Sequence, residues 1–133
     1  SLSAILNKSA LAVPKICTLN IHTSLLPAYK GPRPVFWSLL HGEDKFGFTV
    51  HEVTEKIDTG NILYQQECNI MNSKKEFEIN KKIFFDASQI IMRILEDRFN
   101  SNNKHIAPFY NESYYSFPTK KDIDNFIKMG FGF

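Results

Sequence analysis

Asn20 and His22 are the two residues of this sequence whose types and spacing could do chemistry together. They stand two apart in residues 15–22 (KICTLNIH), a run suited to a buried strand, in which alternate side chains leave from one face. Thr18, Asn20 and His22 then face one way, Leu19 and Ile21 the other. An amide supplies hydrogen-bond donors, and an imidazole with an ordinary pKa near ~6.5 exchanges protons at neutral pH. Either residue alone beside a buried strand is usually a hydrogen-bonded structural group. Position distinguishes the pair, because the run leads straight into Ser24-Leu25-Leu26-Pro27 and Lys30-Gly31. A loop at the carboxyl end of a strand is where open α/β sheets place their ligands.

The elements that must position this pair can be read from period and punctuation. Residues 1–12 have helix-like apolar spacing, closed by Pro14. Residues 23–34 are loop, marked by Pro27, Gly31, Pro32 and Pro34. A helix fits residues 35–40 and stops at His41-Gly42, where glycine can form a left-handed cap. Residues 46–53 (FGFTVHEV) have strand composition, with Phe46, Phe48 and Val50 on one face and Thr49, His51 and Val53 on the other. A loop over residues 54–60 holds Asp58. Ile62, Tyr64, Cys68 and Ile70 share a parity, which predicts a strand over residues 61–70.

The longest predicted element is a helix over residues 73–98, with Ser73 and Glu76 spaced as a capping box. Ile83, Phe84, Ala87, Ile90, Ile91, Ile94 and Leu95 define its buried face. The tail over residues 100–133 holds a short helix at residues 121–128, after the turn signal Ser116-Phe117-Pro118-Thr119. Strand, helix, two strands, long helix and tail make a mixed α/β chain.

At 133 residues, 43% of them hydrophobic, the chain suits one domain with a core of its own. No stretch approaches the ~20 apolar residues of a membrane span, no basic start leads into an apolar block, and the expected location is cytoplasmic. A net charge of +2, with lysines clustered no further than the doublets at 74–75, 81–82 and 120–121, does not favour nucleic acid as a partner. Cys17 and Cys68 read as free thiols in strand-like runs.

Four blocks occur in order: Asn-x-His-x-Ser-Leu-Leu-Pro at residues 20–27, Gly-x-x-Pro at 31–34, Gly-x-Thr-x-His at 47–51 and Asp-x-Gly-x-Ile at 58–62. Together they resemble the catalytic core of the formyltetrahydrofolate-dependent formyltransferases, which include methionyl-tRNA, glycinamide ribonucleotide and nucleotide-sugar enzymes. The resemblance implies an α/β, Rossmann-like formyltransferase fold with N10-formyltetrahydrofolate as co-substrate and no metal. It implies Asn20, His22 and Asp58 as the catalytic residues. Asn20 would donate to the oxyanion of a tetrahedral intermediate, His22 would take the proton of the attacking amine or support the oxyanion, and Asp58 would orient the imidazole. It further implies Leu26, Pro27, Ile57, Thr59 and Gly60 around the folate, and a cis bond before Pro27.

The resemblance also implies βαβ units ahead of the Asn-x-His strand, whereas few residues precede Asn20 here. The expectation is therefore a single partial catalytic domain over residues 1–133, with a core to about residue 99 and a C-terminal extension over 100–133. Lys30, Arg33 and Trp37 are the candidates for binding the acceptor, although Phe36-Trp37 also reads as core. The expected acceptor is a small-molecule amine, best an amino sugar carried by a nucleotide. A glycinamide ribonucleotide or methionyl-tRNA acceptor, hydrolysis of the formyl donor, and a non-catalytic folate-binding module are the alternatives, and a homodimer is compatible with all of them. His51 could join His22 and Asp58 as a metal site, but its default reading is a hydrogen-bonded structural residue. His41 and His105 read as surface or loop residues.

Overall fold

The computed structural model describes residues 8–15, 17–70, 73–100, 106, 107 and 109–133. A short helix, α1 (Lys8–Leu11), precedes strand β1 (Leu19–His22), helix α2 (Pro34–Leu40), strands β2 (Phe46–Glu52) and β3 (Ile62–Cys68), the long helix α3 (Glu76–Phe99) and the closing helix α4 (Lys120–Lys128). The expected helix ahead of residue 8 and His105 lie outside the described residues. β1, β2 and β3 pair in that order, antiparallel throughout, with Asn20 opposite His51 and His22 opposite Thr49.

Alternation divides the two faces of this sheet by chemistry. Phe46, Phe48 and Val50 are buried against α2, α3 and α4, in a core that includes Val35, Phe36, Ile79, Ile83 and Phe126. Asn20, His22, Thr49 and His51 occupy the other face, which residues 23–31 cover. Thr49 is the fastening. Its hydroxyl donates to the Ser24 carbonyl (2.7 Å) and accepts from the Leu26 N–H (3.0 Å) and from Gln65 Nε2 (2.9 Å). One donor and two lone pairs are all a hydroxyl has, so this buried group is fully used. Gly47, two residues earlier on the same face, has no room for a side chain: a Cβ there would meet the Gln66 carbonyl at 2.2 Å and Leu25 Cδ2 at 2.7 Å.

Several boundaries differ from those the sequence predicts. β1 starts at Leu19 rather than Lys15, β2 ends at Glu52, and β3 spans Ile62–Cys68. Proline suits the first turn of a helix, so α2 begins at Pro34 itself, and Gly42 takes the expected left-handed conformation (φ 75°). The capping box of Ser73 and Glu76 does not form. Ser73 Oγ pairs with Glu78 and the Lys75 N–H, Glu76 is taken by Arg33, and the Glu76 N–H donates to the Gly132 carbonyl (2.8 Å). Contacts distant in sequence have replaced the local cap. Phe84 is 46% exposed, because the buried stripe of Ile79, Ile83, Ala87 and Ile94 is one residue wide there and Phe84 lies about 100° round the helix. At α4 the local signal holds, with a capping box between Thr119 and Asp122. Cys17 and Cys68 are free thiols, the first partly buried and the second buried.

The loop from β2 to β3 is pressed back on the strand it leaves. A Cβ on Gly60 would stand 1.7 Å from the Glu52 carbonyl oxygen, and the Glu52 N–H donates to Asn61. Gly60→Ala is expected to push the loop outward and cost about 1–3 kcal/mol of stability in denaturant unfolding. Unchanged stability would show that the loop is not held by this approach.

Candidate active site

Asn20, His22 and Asp58 converge, with His51 as a fourth member. β1 delivers Asn20 and His22, β2 delivers His51 beside Asn20, and the following loop turns back to insert Asp58 between the two rings. Asp58 Oδ2 lies 3.6 Å from His22 Nδ1, and Oδ1 lies 3.5 Å from His51 Nε2. The carboxylate is only 11% exposed and accepts the Gly31 N–H at 2.8 Å. Its backbone is left-handed (φ 49°), a conformation that aspartate tolerates better than most residues.

Backbone carbonyls fix the tautomers of both rings. The Tyr29 carbonyl lies 2.9 Å from His22 Nε2, and since a carbonyl only accepts, Nε2 carries the hydrogen. In the neutral ring, Nδ1 is then a lone pair beside Asp58. The Glu52 carbonyl, 2.8 Å from His51 Nδ1, places the hydrogen there, so His51 Nε2 accepts from Asn20 Nδ2 at 3.2 Å. That bond orients the Asn20 amide and uses one of its two N–H donors, leaving the other for a ligand.

Burial pushes the His22 pKa down and outweighs the Asp58 charge and the Tyr29 hydrogen bond, which raise it; the His51 charge adds to the lowering. At neutral pH His22 is therefore an unprotonated base. A proton taken at Nδ1 would be met at once by the Asp58 carboxylate. Burial would raise the Asp58 carboxyl, but its two imidazole neighbours, His51 and His22, and the Gly31 N–H together hold it below the usual carboxylate range. The site thus combines an oriented amide donor, a neutral base and a fixed anion behind the base, a set suited to acyl transfer.

The remaining sequence candidates are dispersed around this centre. Leu26 is buried, and the Leu26–Pro27 bond is cis, as the resemblance implies. Ile57, 39% exposed, offers apolar surface next to Asp58, and Thr59 Oγ1 bonds within its own loop to Thr54 and Lys56. The three acceptor candidates have their polar atoms engaged elsewhere: Lys30 Nζ on Glu112 (2.7 Å), Arg33 on Glu76, and the indole N–H of the buried Trp37 on the Ser116 carbonyl (3.1 Å). His51 is hydrogen-bonded as its default reading has it, but it holds Asn20, a link that sequence reading missed. Its spacing from Gly47 and Thr49 was the available signal. Among the described residues no three His, Cys, Asp or Glu side chains are placed to share a metal ion, and no helix is long and apolar enough to cross a membrane.

The sequence profile of the formyl transferase family matches residues 1–95. The chain belongs to the formyl transferase family. It is 30% identical to the methionyl-tRNA formyltransferase of Blochmanniella floridana over 121 residues, covering 91% of this chain and 38% of that protein. It therefore spans well under half the length of this relative. Among solved structures, a sugar N-formyltransferase from Shewanella sp FDAARGOS_354 superposes with a TM-score of 0.73 at 19% identity, covering 94% of this chain and 55% of that one. This likeness is one of fold, and it identifies the α/β arrangement as part of the Rossmann-like formyltransferase fold. The N-formyltransferase from Helicobacter canadensis, solved with folinic acid and dTDP-3-aminofucose, matches with a TM-score of 0.60 at 26% identity, over 82% of this chain and 45% of that one.

A lowered His22 pKa has a defined pH signature. An unfolded chain would protonate this histidine near ~6.5 while the folded chain resists, so between those values the unfolded state binds more protons. Stability is then lost as pH falls from ~6.5 through the folded-state value. Ring titration by NMR is expected to place His22 below ~6.5, and Asp58→Asn, which removes a charge that raises it, is expected to move it lower still. An upward movement in Asp58→Asn would contradict the electrostatic coupling of the pair.

Proposed function

We propose that this chain provides the catalytic residues of an enzyme that transfers the formyl group of N10-formyltetrahydrofolate to a primary amine, an amino sugar carried by a nucleotide. The observation carrying this reading is the convergence of Asn20, His22 and Asp58 within a member of the formyl transferase family. The amine attacks the formyl carbon, and negative charge builds on the formyl oxygen as the carbon becomes tetrahedral. The free N–H of Asn20 donates to that oxygen. His22 Nδ1 accepts the proton that the amine loses, and the imidazolium so formed is stabilised by Asp58. Collapse of the intermediate breaks the bond to N10 of the folate, and the proton held on His22 is available for that leaving nitrogen.

Leu26, Pro27, Ile57, Thr59 and Gly60 form the two loop segments that frame the folate in this reading, with exposed Ile57 offering contact to its pterin. The amino-sugar acceptor is supported by the likeness to the Helicobacter canadensis enzyme, whose crystal contained a nucleotide-linked amino sugar beside a folate. A second reading, formylation of methionyl-tRNA, is favoured by the 30% identity to the Blochmanniella floridana enzyme.

Formyl transfer to dTDP- and UDP-linked amino sugars, glycinamide ribonucleotide and methionyl-tRNA, assayed in parallel on the intact protein, separates these acceptors. Turnover is expected with an amino sugar. In Asn20→Ala, kcat is expected to fall about 100- to 1000-fold with folate affinity kept, the usual cost of one oxyanion donor. Turnover of methionyl-tRNA alone would overturn the acceptor, and an undiminished Asn20→Ala would overturn the role of the amide.

A further inference from the structure

The loop that closes the site carries unusual backbone. Tyr29 has φ 57°, Gly31 φ 94° and Arg33 φ 56°. Left-handed conformations at non-glycine residues cost free energy and persist only where neighbouring structure holds them. Two backbone groups of this loop hold the catalytic side chains: the Tyr29 carbonyl accepts from His22, and the Gly31 N–H donates to Asp58. What holds the loop lies more than eighty residues away, past residue 95 where the family match ends.

The segment 113–115 runs beside residues 27–31 as a short parallel pairing, Lys30 opposite Tyr114. The Lys30 N–H donates to the Ser113 carbonyl (2.9 Å), the Tyr115 N–H to the Lys30 carbonyl (3.0 Å) and the Ser113 N–H to the Pro27 carbonyl (3.1 Å). Ser113 Oγ accepts the Tyr29 N–H at 2.8 Å, the amide of the strained residue itself. The approach is close enough to require glycine at position 31, because a Cβ there would stand 2.2 Å from the Tyr115 carbonyl. Side chains add a second fastening. The Tyr115 ring stacks on Tyr29 (5.4 Å between centroids) and on Trp37 (4.9 Å), and the Trp37 indole donates to the next carbonyl, Ser116.

We propose that residues 113–115 are a positioning strap for the catalytic pair: by pairing with residues 27–31 they fix the Tyr29 carbonyl and the Gly31 N–H, and through them His22 and Asp58. The strap touches no reacting atom, and Ser113 is its central positioning residue. Lys30 and Trp37 acquire a function in this account without meeting the acceptor, as the posts to which the strap is tied. The arrangement makes this chain's site depend on a segment beyond residue 95, where the family profile ends.

The proposal rests on the catalytic reading of the triad, and its test separates the two. In the intact protein, the His22 ring is titrated by NMR and formyl transfer is measured for Ser113→Ala, Ser113→Thr and Tyr110→Phe. Tyr110 bonds Glu67 from the same tail without touching the loop. Ser113→Ala is expected to admit water to His22, move its titration up towards ~6.5 and lower kcat about 10- to 100-fold, with Ser113→Thr restoring both. Tyr110→Phe is expected to match the wild type. An unmoved His22 titration in Ser113→Ala overturns the strap. If no acceptor is turned over by any form, the catalytic reading fails and the ring titration still decides the strap. Amide exchange in the wild type needs no variant: Tyr29, Lys30, Gly31, Ser113 and Tyr115 are expected to exchange together and slowly. Fast exchange at 113 and 115 beside a protected loop would overturn the proposal.

Discussion

A backbone carbonyl can accept a hydrogen bond and never donate one, and two of them, at Tyr29 and Glu52, set the proton pattern of the whole site. Each faces one imidazole nitrogen at hydrogen-bond distance, so His22 carries its hydrogen on Nε2 and His51 on Nδ1. The rings are thereby turned with their basic nitrogens towards Asp58. His22 is left with a lone pair backed by a carboxylate, and His51 with a lone pair that takes up one hydrogen of Asn20. Opposite tautomers of one side-chain type, on rings whose centroids lie 6.3 Å apart across a shared carboxylate, give one base and one orienting group.

The antiparallel sheet makes this possible by separating two kinds of surface. Its apolar face is covered at β2 by the helical core, while its polar face would be costly to bury if any group there lacked a partner. Thr49 and Gln65 meet that demand for the loop, and His51 meets it for Asn20. A groove lined by Cys17, Leu19, Ile21, Ile91, Leu95 and Phe99 lies on the apolar side of β1, away from the triad. The polar face keeps its hydrogen-bonded layer, and the strained loop that completes the layer is fastened at one edge by residues from the tail.

Period and punctuation made most elements legible, as α2, β2, β3 and α4 illustrate. The four sequence blocks acquire separate physical meanings in the structure. Asn20 and His22 share a strand face. Gly31 supplies an N–H to Asp58 and space for Tyr115, while Pro34 starts α2. Gly47, Thr49 and His51 line one face of β2, and Gly60 seats the Asp58 loop on Glu52. Less legible were contacts between residues distant in sequence. The cap of α3 is supplied by Gly132 rather than Ser73, and Arg33 is drawn to Glu76. The link between Ser113 and Tyr29 leaves no local pattern at all, since a serine in a tail carries no sign of the amide it will meet. Phe84 shows the limit of helical period, where one residue of rotation separates core from surface.

The tautomers are the point on which the chemistry turns, and imidazole 15N chemical shifts read them directly. With the protein labelled in histidine and held at neutral pH, His22 is predicted to show a protonated Nε2 and a pyridine-like Nδ1, and His51 the reverse. The same tautomer on both rings, or a His22 protonated at both nitrogens, would contradict the account, because the base would then be absent where the amine must lose its proton.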